Sequence, residues 1–87
     1  MSRPISQSEF ESICEDVLRR EYPSITKYSF KPMQLIIHYP SNKGNTERIS
    51  SIEFTEDCSR FVIDDMYHTG VPLHVGRSIR TMAQELY

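Results

Sequence analysis

The apolar residues of this chain change period twice, and few architectures accommodate that. Phe10, Ile13, Cys14, Val17 and Leu18 recur three and four positions apart, the stripe of an amphipathic helix. Further on the apolar residues alternate instead. Met33, Leu35, Ile37 and Tyr39 share one side, followed by Ile52 with Phe54 and by Phe61 with Ile63, as in half-buried strands. Helical spacing then returns through Val75, Ile79, Met82, Ala83 and Leu86. Packing both helices against one face of an antiparallel sheet buries all three apolar surfaces together. The pattern predicts a two-layer α+β fold: helix, a three- or four-stranded antiparallel meander, helix, with both helices on one face of the sheet.

Local signals set the boundaries. Ser6 followed by Glu9 spells a capping box, and Ile5 and Phe10 stand where a hydrophobic staple needs them. Pro23 pushes Tyr22 out of the helical region, so the first helix is expected over about 7–21. "ITKYSF" reads as a short edge strand that Pro32 interrupts. Strands are expected at 33–39, 46–54 and 60–65, separated by the turn-rich segments "PSNKGN" and "TEDCS". The last helix is expected from about 72 to 86, with Pro72 in its first turn and Gly76 weakening its beginning, so that the regular part starts nearer 77. The sheet face away from the helices then carries Gln34, Ile36, His38, Ile49, Ser51, Glu53 and Val62. That mixture of polar and apolar residues suits a partner or a homodimer contact.

Composition bounds the function more than it identifies it. Eighty-seven residues suffice for one domain over 1–87, but are few for a full core together with a deep cleft. A net charge of −2 gives no global attraction to nucleic acid, so any electrostatic recognition has to be local. Cys14 and Cys58 form no CxxC pair and have no histidine at zinc-finger spacing. Cys14 lies on the apolar helix stripe and is expected to be a buried thiol, while Cys58 falls near a turn and is expected to be partly exposed. The N-terminal stretch has no signal-peptide apolar core, and the longest apolar run, "LIIHY", is too short to span a membrane. A reducing, cytoplasmic location and no membrane association are expected.

The charges of the first helix follow the helix dipole: early acids, then Arg19 and Arg20, with Glu15–Arg19 and Asp16–Arg20 four apart. They read as a solvated face. The last helix breaks the rule. If it starts near 72, His74, Arg77 and Arg80 gather in its first turns while Glu85 lies near its end, both placements opposing the dipole. Two guanidinium groups, an imidazole and unpaired N–H groups at one helix start make a candidate site for phosphate or a partner's carboxylates. The competing account is that Asp64 or Asp65 neutralises Arg77 or Arg80 internally. The displayed turn carrying Asn42, Lys43 and Arg48 is a second candidate contact.

Enzymatic constellations are sparse. Asp64, Asp65, His68 and His74 are the best catalytic or metal-holding set, but their spacing matches no metal motif, and no nucleophile elbow or glycine-rich phosphate loop is present. No cofactor is expected. Lys27, Lys31, Lys43 and Arg48 near Tyr28, Phe30 and Tyr39 form a weaker case for single-stranded nucleic acid, through stacking on a basic sheet. The expectation is a small non-enzymatic protein-binding module, of the kind that regulates or inhibits a larger protein, that recognises an acidic or phosphate-bearing surface through His74, Arg77 and Arg80, with Asn42, Lys43 and Arg48 as a second contact.

Overall fold

A computed structural model describes residues 4–40, 47–64 and 70–86, apart from the side chains of 39, 40, 47 and 48. Helix α1 (Gln7–Glu21) is followed by strands β1 (Lys27–Lys31), β2 (Gln34–Pro40), β3 (Glu47–Phe54) and β4 (Phe61–Asp64) and by helix α2 (Gly70–Leu86). The four strands form an antiparallel meander in the order β1-β2-β3-β4. Both helices lie on one face, contributing to a single hydrophobic cluster with Leu35, Ile37, Ile52 and Phe54. The α+β reading holds, as does the side-chain assignment for Met33, Leu35, Ile37, Ile52, Phe54, Phe61 and Ile63; the side chain of Tyr39 lies outside the described residues.

The start of α1 forms as the sequence specifies. Ser6 Oγ accepts from the Glu9 N–H at 3.1 Å, and Glu9 Oε1 accepts from the Ser6 N–H at 3.2 Å. Ile5 and Phe10 are both buried, completing the staple. Tyr22, ahead of Pro23, leaves the helical region at φ −135°, ψ 58°. Of the two expected i,i+4 ion pairs, Arg20–Asp16 is present at 3.3 Å. Glu15 and Arg19 instead flank a shallow depression floored by Leu18, Ile25 and Tyr28.

The β1–β2 turn is tied to α1. Pro32 cannot take positive φ, so neither primed hairpin turn is available there. Met33 adopts φ 52° instead, an unusual conformation for a residue with a side chain. Gln7 holds this turn from α1: its Oε1 accepts from the Met33 N–H at 2.9 Å, and its Nε2 donates to the Lys31 carbonyl at 3.2 Å. The Met33 carbonyl accepts from the Phe54 N–H at 2.8 Å. One glutamine amide thus acts as a peptide group bridging helix and hairpin.

Three expectations change. First, Cys58 is fully buried, with φ 59° and its N–H donated to the Thr55 carbonyl at 2.9 Å. The β3–β4 connection folds inward there, and Asp57 Oδ1 fixes it by accepting from the Ser59 N–H at 3.0 Å and the Thr55 hydroxyl at 2.9 Å. Second, α2 begins at Gly70 rather than near 72, and Gly76 lies inside it. The first four N–H groups of a helix have no intrahelical acceptor, so Pro72 fits a little after the start as well as at it. Gly76 is buried because the Phe61 ring occupies the space of its missing Cβ: a Cβ there would lie 2.6 Å from Phe61 Cε2. Third, Leu86 is exposed at the helix end rather than part of the apolar stripe.

Candidate functional site: the outer face of helix α2

Pro72, Val75, Gly76, Ile79 and Ala83 bury the inner side of α2. The rest of its circumference is what the fold displays. Leu73, Arg77, Arg80 and Gln84 recur at four- and three-residue spacing and form one continuous exposed stripe. His74 and Thr81 flank it, also exposed. His74 curls back along the helix, with Cδ2 3.5 Å from the Cβ position of Gly70. Helical side chains lean toward the N-terminus, which accounts for that placement.

The early start of α2 corrects the expected site. Arg77 lies seven residues beyond Gly70 and Arg80 ten, so at about 1.5 Å per residue they stand ~10 and ~15 Å along the axis. The dipole acts within the first turn and does not reach them. The two guanidinium groups therefore neither oppose the helix start nor converge with its unpaired N–H groups. Of the three residues, only His74 belongs near that end.

Among the described residues, no acid lies within ion-pair distance of either arginine. Asp64, one of the two residues expected to neutralise them, is on the sheet face opposite the helices, in register with Ser51. The other, Asp65, lies outside the described residues. Arg80 lies over the Phe61 ring, 5.5 Å from its centroid. This ring ends an aromatic series, with Phe54–Phe61 at 5.7 Å, Phe10–Phe54 at 5.4 Å and Phe10–Phe30 at 6.2 Å. The cation–π contact orients Arg80 and leaves its charge uncompensated. Arg77 borders a depression of about 280 Å³ shared with Glu21, Ser78, Thr81, Met82 and Glu85. Glu21 Oε1 accepts from the Ser78 hydroxyl at 2.8 Å, which ties the end of α1 to the middle of α2.

The remaining candidates fare unevenly. Asn42 and Lys43 lie outside the described residues. Arg48 belongs to β3, paired with Tyr39, rather than to the turn. For the catalytic set, Asp65 and His68 also fall outside, and Asp64 is separated from His74 by the whole sheet. No group of three or more metal-ligating residues occurs among the described residues. Alternation along β1 puts Lys27 and Lys31 on one face and Tyr28 and Phe30 on the other, where Phe30 stacks edge-on against Phe10. The basic and aromatic groups of that strand therefore do not share a surface. Both thiols are held protonated: burial, then the Cys58 thiol and Glu11, push Cys14 up, and burial followed by Asp57 pushes Cys58 up to about 11. Neither suits a nucleophile. No described helix is long and apolar enough to cross a membrane.

The stripe was legible in part. Arg77 and Arg80 stood out for a reason that the helix boundary removes. Leu73 and Gln84 were missed, although their spacing from the arginines, beside Val75, Ile79 and Ala83, was open to reading. No known protein family, curated protein or solved structure matches the chain.

Proposed function

We propose that this chain is a small non-enzymatic binding protein whose outer α2 face engages an acidic or phosphate-bearing surface on a partner protein. The observation that supports the reading is the exposure of Arg77 and Arg80, three residues apart on one stripe, with no ion-pair partner among the described residues. Arginine offers a planar fork of donors that matches carboxylate and phosphate oxygens. Leu73 adds an apolar contact on the same stripe, and Gln84 ties the stripe to the β3–β4 turn by donating from Nε2 to the Asp57 carbonyl at 3.1 Å. Phe61 fixes Arg80 from beneath, which lowers the entropy lost when the guanidinium meets a ligand. The described depressions are shallow and lack converging catalytic groups, which favours contact between surfaces over an enclosed reaction site.

The test is a matched capture from extract of the organism that encodes the chain. The wild type and the Arg77→Glu/Arg80→Glu double variant are immobilised in parallel, and the protein held by the first and lost from the second is then purified and titrated. Phosphatase treatment of the partner separates the two chemistries, since a phosphate-dependent complex dissociates and a carboxylate-dependent one persists. Equal binding by a correctly folded double variant removes α2 from consideration.

A further inference from the structure

The face of the sheet turned away from the helices is uncovered among the described residues, and its charges are segregated. The register places Lys27, Ser29 and Lys31 of β1 along one edge of that face. Glu53 of β3 and Asp64 of β4 lie toward the opposite edge. Between and beside them are Ile36, half-buried, Ile49, 59% exposed, and Val62, 73% exposed. The surface is thus basic on one side, apolar in parts of its middle and acidic on the other.

Such a layout is complementary to itself in one orientation. Two copies placed face to face by a two-fold axis parallel to the strands bring β1 of each over β3 and β4 of the other. Lys31 of each copy then stands over Glu53 and Val62 of the other, and Asp64 comes under Ser29, between the positions of Lys27 and Lys31, twice over as closed two-fold symmetry requires. A two-fold axis across the strands instead brings lysine edge onto lysine edge and acid onto acid, and is disfavoured. Sheets packed face to face lie about 10 Å apart, with strands within roughly 30° of alignment. Lysine side chains span such a gap at its rim, where Val62 lies on the edge strand, while Ile36 and Ile49 on the two inner strands lose contact with water.

We propose that two copies of this chain associate through their open sheet faces about an axis parallel to the strands, β1 of each over β3–β4 of the other. The interface is small. Four strands about 4.8 Å apart and about five residues long cover roughly 300 Å² in projection, less than half of the roughly 800 Å² per partner in a standard interface. The dimer is therefore weak, and added salt weakens it further by screening the lysine–carboxylate pairs. It does not use the α2 stripe, which belongs to the helix layer.

Sedimentation velocity over roughly 10 µM to 1 mM, the range where a small interface associates, tests this at low salt. The wild type is expected to move from its 10.2 kDa monomer toward twice that mass. Lys27→Glu/Lys31→Glu and Glu53→Lys/Asp64→Lys each remain monomeric alone, whereas their equimolar mixture forms a dimer again. Ile49→Asp abolishes association, and Arg77→Glu/Arg80→Glu leaves it unchanged. A wild type that stays monomeric throughout overturns the proposal, whatever else covers the face. So does a dimer indifferent to the charge reversals, or a mixture that associates no better than its components.

Discussion

Replacing Gly76 by alanine sets two effects of known size against each other. Inside a helix, alanine is favoured over glycine by about 0.8–1.0 kcal/mol, so secondary-structure preference alone predicts stabilisation. The new methyl group, however, lies 2.6, 2.8 and 3.0 Å from Phe61 Cε2, Cδ2 and Cζ. Carbon atoms in contact prefer about 3.5–4.0 Å, so the ring must retreat by roughly an ångström. It is held by the Phe54 ring on one side and by Arg80 above it, contacts worth about 0.5–1.5 and 0.5–1 kcal/mol respectively. Overpacking of this kind costs typically 1–3 kcal/mol, and loss of the ring contacts adds to it. The net expectation is destabilisation by about 1–2 kcal/mol, a fall in Tm of roughly 5–15 °C for a domain this small. Urea unfolding followed by far-ultraviolet circular dichroism measures it. The decisive comparison is the same substitution in a Phe61→Leu background. With the ring gone, Gly76→Ala becomes neutral or stabilising by up to about 1 kcal/mol, giving a coupling of ~1–3 kcal/mol between the two positions. Stabilisation by Gly76→Ala in the wild type would refute the argument, because propensity would then be acting without opposition from Phe61.

Other substitutions follow from single contacts. Ser6→Ala removes the hydroxyl that accepts from Glu9 N–H and should lower stability by about 1 kcal/mol; Ser6→Asp, which keeps an acceptor, should restore it. Gln7→Ala leaves the Met33 N–H and the Lys31 carbonyl without their side-chain partner and should lower stability by ~1–2 kcal/mol, with faster hydrogen exchange at Met33. The thiol of Cys58 keeps its proton in the folded chain to about pH 11, against an ordinary value near 9.0. Between these values the unfolded chain holds fewer protons, so stability present below pH 9 is lost as pH rises toward 11. Cys58→Ala should flatten that part of the stability–pH curve, and a thiol reagent at pH 8 should label the native protein only after denaturant is added.

Reading the sequence recovered what periodicity and caps encode. Phe10, Ile13, Cys14, Val17 and Leu18, read as one stripe, are all buried, and α1 runs over Gln7–Glu21 as expected. Strand faces followed from alternation alone, because a one-residue shift would reverse every side chain. What the sequence concealed was set by contacts between distant segments. Gly76 looked like a weak helix start until Phe61, fifteen positions earlier, was seen to need its space. Cys58 looked like a turn residue because no local signal says that a turn folds inward. The same limit shaped the candidate site. Placing the helix start two residues late made Arg77 and Arg80 look misplaced against the dipole. With the start at Gly70 they are ordinary mid-helix residues, and what they offer is two exposed guanidinium groups on one stripe, neither in an ion pair with a described acid.

The two proposed surfaces constrain each other. The α2 stripe belongs to the helix layer, on the flank of α2 nearer β4, and the open face to the other side of the sheet. In a dimer joined by its sheet faces, the two-fold axis turns the α2 stripes in opposite directions. They cannot meet one flat partner surface together, so the dimer gains no avidity on a single target. It would join two partner molecules instead. Light scattering of the purified partner with the wild type should show an assembly of two partners and two chains, whereas the Lys27→Glu/Lys31→Glu variant should yield one of each with unchanged affinity per site. A one-to-one complex with the wild type, at concentrations where the chain alone is dimeric, would mean that the geometry relating the two surfaces has been misassigned.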